Sequence, residues 1–414
     1  DCLRIGIDNN LSLEGKRKEI QKSKYGVSEN RSKLLPQITV IAGYNNNFDP
    51  PVSVTDGSSY GVPYNITKTL QHTANAGLEM QMPLFNQTLY TSMSIAKVME
   101  EISRLSYGKA REDIIMQISK MYYLGQVTAE QIVLIKANIT RLEELRDITQ
   151  AFFDNGMSME VDLKRVNINL ENLKVQYDNA QAMMKQQLNM LKYIMDYPAE
   201  KEFVLTPVNT DSITTVALTG LSENIYELQL SQSQVQLAEK QKKIVSNGYI
   251  PSLSLTGSWR YAAYTDKGYH WFHSGPSNHW FRSYGLGLTL RIPIFDGLDK
   301  TYKIKKAMID IENSKLAWEN ARKSLQTQYL NAVNDLMNNQ RNFKKQKDNY
   351  LLAEDVYTVT SDRYREGIAS MTEVLQDEMQ MSEAQNNYIS AHYNYRITNL
   401  MLLKLTGQIE SLVK

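Results

Sequence analysis

Three histidines stand close together at His270, His273 and His279, beside Trp271 and Trp280, and this is the nearest thing in the chain to a metal-ligand set. A loop that also carries glycine, serine and tyrosine commonly exposes such histidines as plain surface, so no metal site is expected there. Other reactive chemistry is sparse. The single cysteine, Cys2, allows neither an internal disulfide nor a multi-cysteine metal site. No phosphate-cradling glycine loop, nucleophile elbow or zinc-protease helix motif occurs. The 18 methionines are spread along helix faces and read as packing. The expectation is therefore no enzyme, no cofactor and no bound metal. Lys+Arg 46 against Asp+Glu 45 leaves a net charge of +1, which gives no basic footprint for nucleic acid.

The beginning of the sequence, "DCLRIGIDNN", shows no basic start followed by an apolar core, so the numbering is expected to begin on a processed chain. Asp1 lacks the small side chain that a lipoprotein cleavage site wants before its cysteine, and Cys2 is expected to pack within a helix. Mean hydropathy is −0.43, and no run approaches the ~18 consecutive apolar residues of a spanning helix. Transmembrane strands would leave only short alternating signals, which such a scan misses.

With no reacting group in view, the informative feature is how proline and glycine punctuate two parallel halves. "LLPQITVIAGY" matches "YIPSLSLTGSW", with Pro36 and Pro251 in register, and "QMPLFNQ" matches "RIPIFDG", with Pro83 and Pro293. "AFFDNGMSMEVDL" matches "DRYREGIASMTEV", with Gly156 and Gly367. The second proline and the glycine are 73 residues apart in one half (83 to 156) and 74 in the other (293 to 367). The two prolines are 47 apart (36 to 83) and 42 apart (251 to 293), so length varies only between them. This is a duplication.

The first repeat is expected over 1–196: a helix, strands near 37–48 and 73–83, a long helix near 86–152, a tip turn near 153–158 and a return helix near 159–196. A connector follows at 197–221. The second repeat, 222–406, has a helix, strands near 251–264 and 281–292, a long helix near 297–364, a tip turn near 365–370 and a return helix near 371–406, and 407–414 is a tail. The segments 49–72 and 262–281 read as surface loops. The strands keep a two-residue period: Ala74, Ala76, Leu78, Met80 and Met82 share one face of the second, and Tyr284, Leu286, Leu288, Leu290 and Ile292 one face of the fourth. The helices keep a seven-residue period through Tyr329, Leu336, Phe343, Tyr350, Tyr357 and Tyr364, and through Val374, Met381, Tyr388, Tyr395 and Leu402. That period predicts knobs-into-holes packing along a left-handed supercoil. Asn86 and Asp296 are the expected helix caps just past the junction prolines.

Four strands with one wholly apolar face cannot close on themselves, and an open edge has no place in lipid. Two chains would supply eight strands and a bore that side chains nearly fill; three would supply twelve and leave a lumen. Tyr44, Trp259, Tyr261, Trp280 and Tyr284 lie near the loop ends of their strands, where an aromatic girdle belongs. The alternative is a soluble, adaptor-like coiled-coil protein in which these aromatics are ordinary core.

The junction motifs "LLPQITVIAGY", "MPLFN" and "IPIFDG", the tip "YREGIASMTEVL" and the segment "AHYNYRITNLMLLKLTG" occur in an order and at separations that resemble the TolC-like outer-membrane efflux family over essentially the whole chain. The resemblance implies a membrane α+β fold: a homotrimer whose twelve-stranded barrel sits in the lipid of the outer membrane of a Gram-negative bacterium, continued by a periplasmic barrel of helices. It implies passive exit for substrates of a tripartite efflux pump or type I secretion system. A periplasmic adaptor and an inner-membrane transporter of RND or ABC type would open its tip. The contact tips would be Asn155, Gly156, Met157 and Ser158 in one hairpin and Glu366, Gly367, Ile368, Ala369 and Ser370 in the other. By motif position Tyr364 falls on the family's gate tyrosine and Asp162 on its aspartate partner. The gate arginine position is Ala369 here, with Arg365 a possible substitute. Glu373 falls on the first of two acidic ring positions; the second is Gln376, with Asp377 beside it.

Overall fold

The computed structural model describes residues 1–68, 70–207, 220–265 and 279–413. His270, Trp271 and His273, and residues 208–219 of the connector, lie outside them. The chain divides into two compact units: Gln21–Glu101 with Ser233–Lys315, and Asp1–Ile20 with Ile102–Gln232 and Leu316–Lys414.

The first unit is built on an antiparallel sheet of β1 (Gln37–Asn46), β4 (His72–Phe85), β5 (Ser252–Thr265) and β6 (His279–Arg291), in that spatial order. The two halves of the sequence meet at β4–β5, which leaves β1 and β6 as unpaired edges. Register sets whole rows on one face: Val40, Leu78, Trp259 and Tyr284 are successive partners, as are Thr39, Glu79, Ser258 and Gly285 in the next row, which points the other way. Among the described residues the apolar face has no cover. Tyr284 is 77% exposed, Leu286 80% and Val40 74%.

Two features depart from the sequence reading. The segment 49–72, expected as plain loop, carries its own hairpin of β2 (Val52–Asp56) and β3 (Tyr64–Lys68). Its strands alternate β-branched residues, and Gly61 takes the left-handed turn position at φ 73°. Pro83, expected near the end of a strand, lies inside β4, which shifts register against β5 between Pro83 and Phe85 and runs on to Phe85. Pairing with β1 has already ended at Gln81, so the missing N–H removes no bond on that side.

The two strand–helix junctions are built differently. At the first, the Asn86 side chain accepts from the N–H groups of Thr88 and Leu89 at 3.0 and 3.3 Å, and α3 (Gln87–Asp154) starts at once. At the second, Gly297 and Leu298 both adopt positive φ, 67° each, and α6 starts only at Asp299 and runs to Arg365. Asp296 still acts as the anion of that terminus: it accepts from the Lys300 N–H at 3.2 Å and pairs with its ammonium at 3.0 Å.

The second unit holds α1 (Cys2–Asn9), α4 (Glu160–Ile194), α7 (Met371–Leu405) and parts of α2 (Leu11–Ser32), α3, α5 (Tyr226–Asn247) and α6. Cys2 packs, partly buried, against the cluster of Ile118, Leu191, Ile194 and Met195. Both heptad ladders point inward: Tyr329, Leu336, Tyr357 and Tyr364 on α6, and Val374, Met381, Tyr388, Tyr395 and Leu402 on α7, are buried. Phe343 fills the gap between the rings of Tyr388 and Tyr395, 5.8 Å from each. No described helix is long and apolar enough to cross a membrane.

Candidate functional site

Both helical tips use one device. Gly156 has φ 73° and Gly367 φ 74°. Gly156 N–H bonds back to Phe153 and Met157 N–H to Phe152; Gly367 and Ile368 do the same to Tyr364 and Arg363, all at 2.8–2.9 Å. This is a helix end closed by a left-handed glycine, with the orphan carbonyls satisfied. The residue after the glycine normally packs back on the helix. Here Met157 is 69% and Ile368 62% exposed, and Met159 is 69% exposed too. Asn155 turns its amide onto the Ala151 carbonyl at 2.7 Å, Ser158 is half-buried, Glu366 is exposed, and Ala369 packs against the core of the hairpins.

The residues matched to the gate are held by partners inside the chain. Tyr364 is buried and donates its hydroxyl to Thr149 Oγ1 at 3.3 Å, with its ring 5.7 Å from Phe152. Asp162, in the first turn of α4, accepts instead from Arg165 at 3.3 Å, and the same guanidinium reaches Thr372 Oγ1 at 3.4 Å on α7. Within one chain, then, Tyr364 and Asp162 do not meet. Arg365 pairs with Asp362 at 3.4 Å and Glu144 at 3.5 Å. Glu373 closes a capping box with Ser370, accepting from its N–H at 2.7 Å, which holds the carboxyl below its ordinary range. Asp377 is half-buried.

The strongest polar arrangement was not singled out from the sequence. Along α7 and its C-cap every seventh residue of a second row is polar and buried: Glu378, Gln385, His392, Asn399 and, at the cap, Thr406. Burial raises the Glu378 carboxyl, against the opposing pull of Arg141. Gln385 exchanges hydrogen bonds with Asn138 of α3 at 2.8 and 3.4 Å; Asn138 accepts from Arg141 at 2.6 Å, and Arg141 pairs with Glu354 of α6 at 3.0 Å. His392 is fully buried. Arg396 donates to its Nε2 at 3.0 Å, and its Nδ1 lies 3.4 Å from a Glu130 oxygen with no hydrogen bond between the two. Tyr388 donates to the other Glu130 oxygen at 3.2 Å, and Arg396 reaches Gln126 at 3.1 Å. The imidazole thus sits between a carboxylate and a guanidinium. A seven-residue recurrence of polar side chains was the available signal.

On the sheet, Tyr44, Trp259, Tyr261, Trp280 and Tyr284 share the exposed apolar face. Trp259 pairs with Tyr284 and packs edge-on to Tyr261 at 5.2 Å. Tyr44 stacks on His72 and bonds its Nδ1 at 2.8 Å. Among the described residues no group of three metal-ligating side chains forms.

Residues 6–195 and 219–408 each match the family described as Outer membrane efflux protein. The chain is 21% identical over 396 residues to the outer membrane protein TolC of Vibrio cholerae, with 92% of this chain and 84% of that protein aligned. It is 23% identical over 382 residues to the toluene efflux pump outer membrane protein TtgC of Pseudomonas putida, covering 86% of this chain and 75% of that one. Among solved structures, CusC superposes with a TM-score of 0.80 at 16% identity, over 98% of this chain and 91% of that chain. VceC from Vibrio cholerae does so with 0.78 at 14%, over 98% and 95%. The resemblance drawn from the junction and tip motifs is borne out, and the soluble adaptor-like alternative finds no support. Since the match takes in both halves separately, the duplication is itself a property of the family, and the chain belongs to the outer membrane efflux proteins.

Proposed function

We propose that three copies of this chain close a passive exit duct, fed by a periplasmic adaptor and an inner-membrane transporter of RND or ABC type. The observation that carries this reading is the sheet: four strands, two unpaired edges, and an apolar face left bare from Val40 on β1 to Leu286 on β6. A protein of this family meets lipid with such a face, and edges in lipid must be paired with another copy. Twelve strands leave a lumen where eight would not. The five aromatics form the girdle at the outer interface. The tips, Asn155 to Ser158 and Glu366 to Ser370, are the surface offered to the adaptor, which the exposure of Met157 and Ile368 supports. Tyr364, Asp162, Arg365, Glu373 and Asp377 form the gate region around those tips.

Edge pairing is the test. With Cys2→Ser as background, Val40→Cys is combined in turn with Tyr284→Cys, Leu286→Cys, Leu288→Cys and Leu290→Cys, and outer membranes are oxidised. At least one pair is expected to give covalent dimers and trimers on denaturing gels. Monomers throughout would overturn the reading.

A further inference from the structure

The four strands of the main sheet carry few charges. β1 has none, β4 has Glu79, β5 has Arg260, and β6 has Arg282 and Arg291. By strand alternation Arg282 belongs to the apolar face, where it lies over the Tyr284 ring, 5.9 Å from its centroid. Arg291 is the last residue of its strand. The middle of the polar face therefore holds one carboxylate and one guanidinium, and they are joined: Arg260 Nη2 donates to Glu79 Oε1 at 2.6 Å.

The geometry of the pair is built in. Arg260 lies directly opposite Gly77, and Glu79 opposite Ser258, so the two charges are diagonal neighbours across β4 and β5. Gly77 contributes no side chain, and a Cβ there would run into the Trp259 carbonyl oxygen and press on Arg260. The guanidinium can then lean two residues along the sheet. Both partners stay 42% and 47% exposed, so as a staple the pair contributes little. Its electrical consequence is larger. Each charge alone would project a field across the bore, whereas the pair projects only a short-ranged dipole.

We infer that the Glu79–Arg260 pair is a specificity-determining element that keeps the strand-lined section of the duct indifferent to the sign of a passing charge. This rests on the trimeric duct reading above, in which the polar face lines the bore.

The test is the K⁺/Cl⁻ permeability ratio of the full protein in planar bilayers under a KCl gradient. Arg260→Gln leaves Glu79 alone and is expected to raise the ratio; Glu79→Gln is expected to lower it. At ~10 mM salt, where the screening length is about 30 Å, each change should be roughly twofold or more, and it should fade near 1 M, where that length is about 3 Å. The double variant Glu79→Gln/Arg260→Gln and the swap Glu79→Arg/Arg260→Glu should both return to the wild-type ratio. Where a single variant does not insert, Thr39→Asp replaces it. Thr39 is the strand partner of Glu79, so this adds an unpaired carboxylate to the same row and must raise the ratio. Conducting variants with unshifted ratios, shifts of one sign from both singles, or a double that stays shifted would overturn the inference. A wild-type protein that forms no channel would instead defeat the duct reading.

Discussion

Glu112 on α3 offers a pH dependence whose sign and size follow from its neighbours. It is 5% exposed in a cluster of three carboxylates and two cations. Lys404 is taken by Asp113 at 2.6 Å and Arg111 by Glu410 at 2.9 Å, so the third carboxylate is supernumerary. Burial raises it, Lys404 pulls it down, and Glu410 and Asp113 push it up again, to about 7 from an ordinary 4.5. A carboxyl raised on folding binds more protons folded than unfolded between those values. Local stability is therefore complete below the ordinary value and declines as pH rises through about 7. The ceiling on the loss is about 3 kcal/mol, and solvent at the edge of the cluster reduces it to about 1–2 kcal/mol. Hydrogen exchange of the peptide spanning residues 108–116, corrected for intrinsic rates, reads this directly. Protection should fall by roughly tenfold between pH 5 and 8 in the wild type and stay flat in Glu112→Gln. Parallel profiles in the two proteins would refute the reasoning.

Tyr364→Phe removes one hydrogen bond to Thr149 and should cost about 1 kcal/mol at the tip. Combined with Asp162→Ala it should raise single-channel conductance clearly, and an unchanged conductance would dismiss both residues as a latch. His392→Phe keeps the ring against Phe343 but removes the acceptor of the Arg396 Nε–H, so local protection of α7 should drop by about 1–2 kcal/mol as judged by hydrogen exchange. Protection equal to the wild type would show that this hydrogen bond adds nothing to the stability of α7.

What could be read in advance was whatever repeats. Alternation in β4, β5 and β6 and the seven-residue rows of α6 and α7 are periodic, and periodicity survives without knowledge of neighbours. What was not legible depends on neighbours that no period reveals. Pro83 reads as the end of a strand, and only the position at which β1 stops shows why β4 can pass through it. Glu378 is buried beside Asp377, and an apolar heptad alone does not reveal which of two adjacent carboxylates turns inward. Motif position sets Tyr364 and Asp162 at the two tips, but their partners within one chain, Thr149 and Arg165, are ones that no spacing rule selects.

The polar row of α7 also explains where the duplicated halves were free to drift apart. Gln385 meets Asn138 of α3 and His392 lies beside Glu130 of the same helix, so one residue inserted in α7 between them would rotate one of the two away from α3. Return helices of 35 residues in both halves, and long helices of 68 and 67, are what such a ruler permits. The stretch between the two prolines of each half is where the copies differ in length.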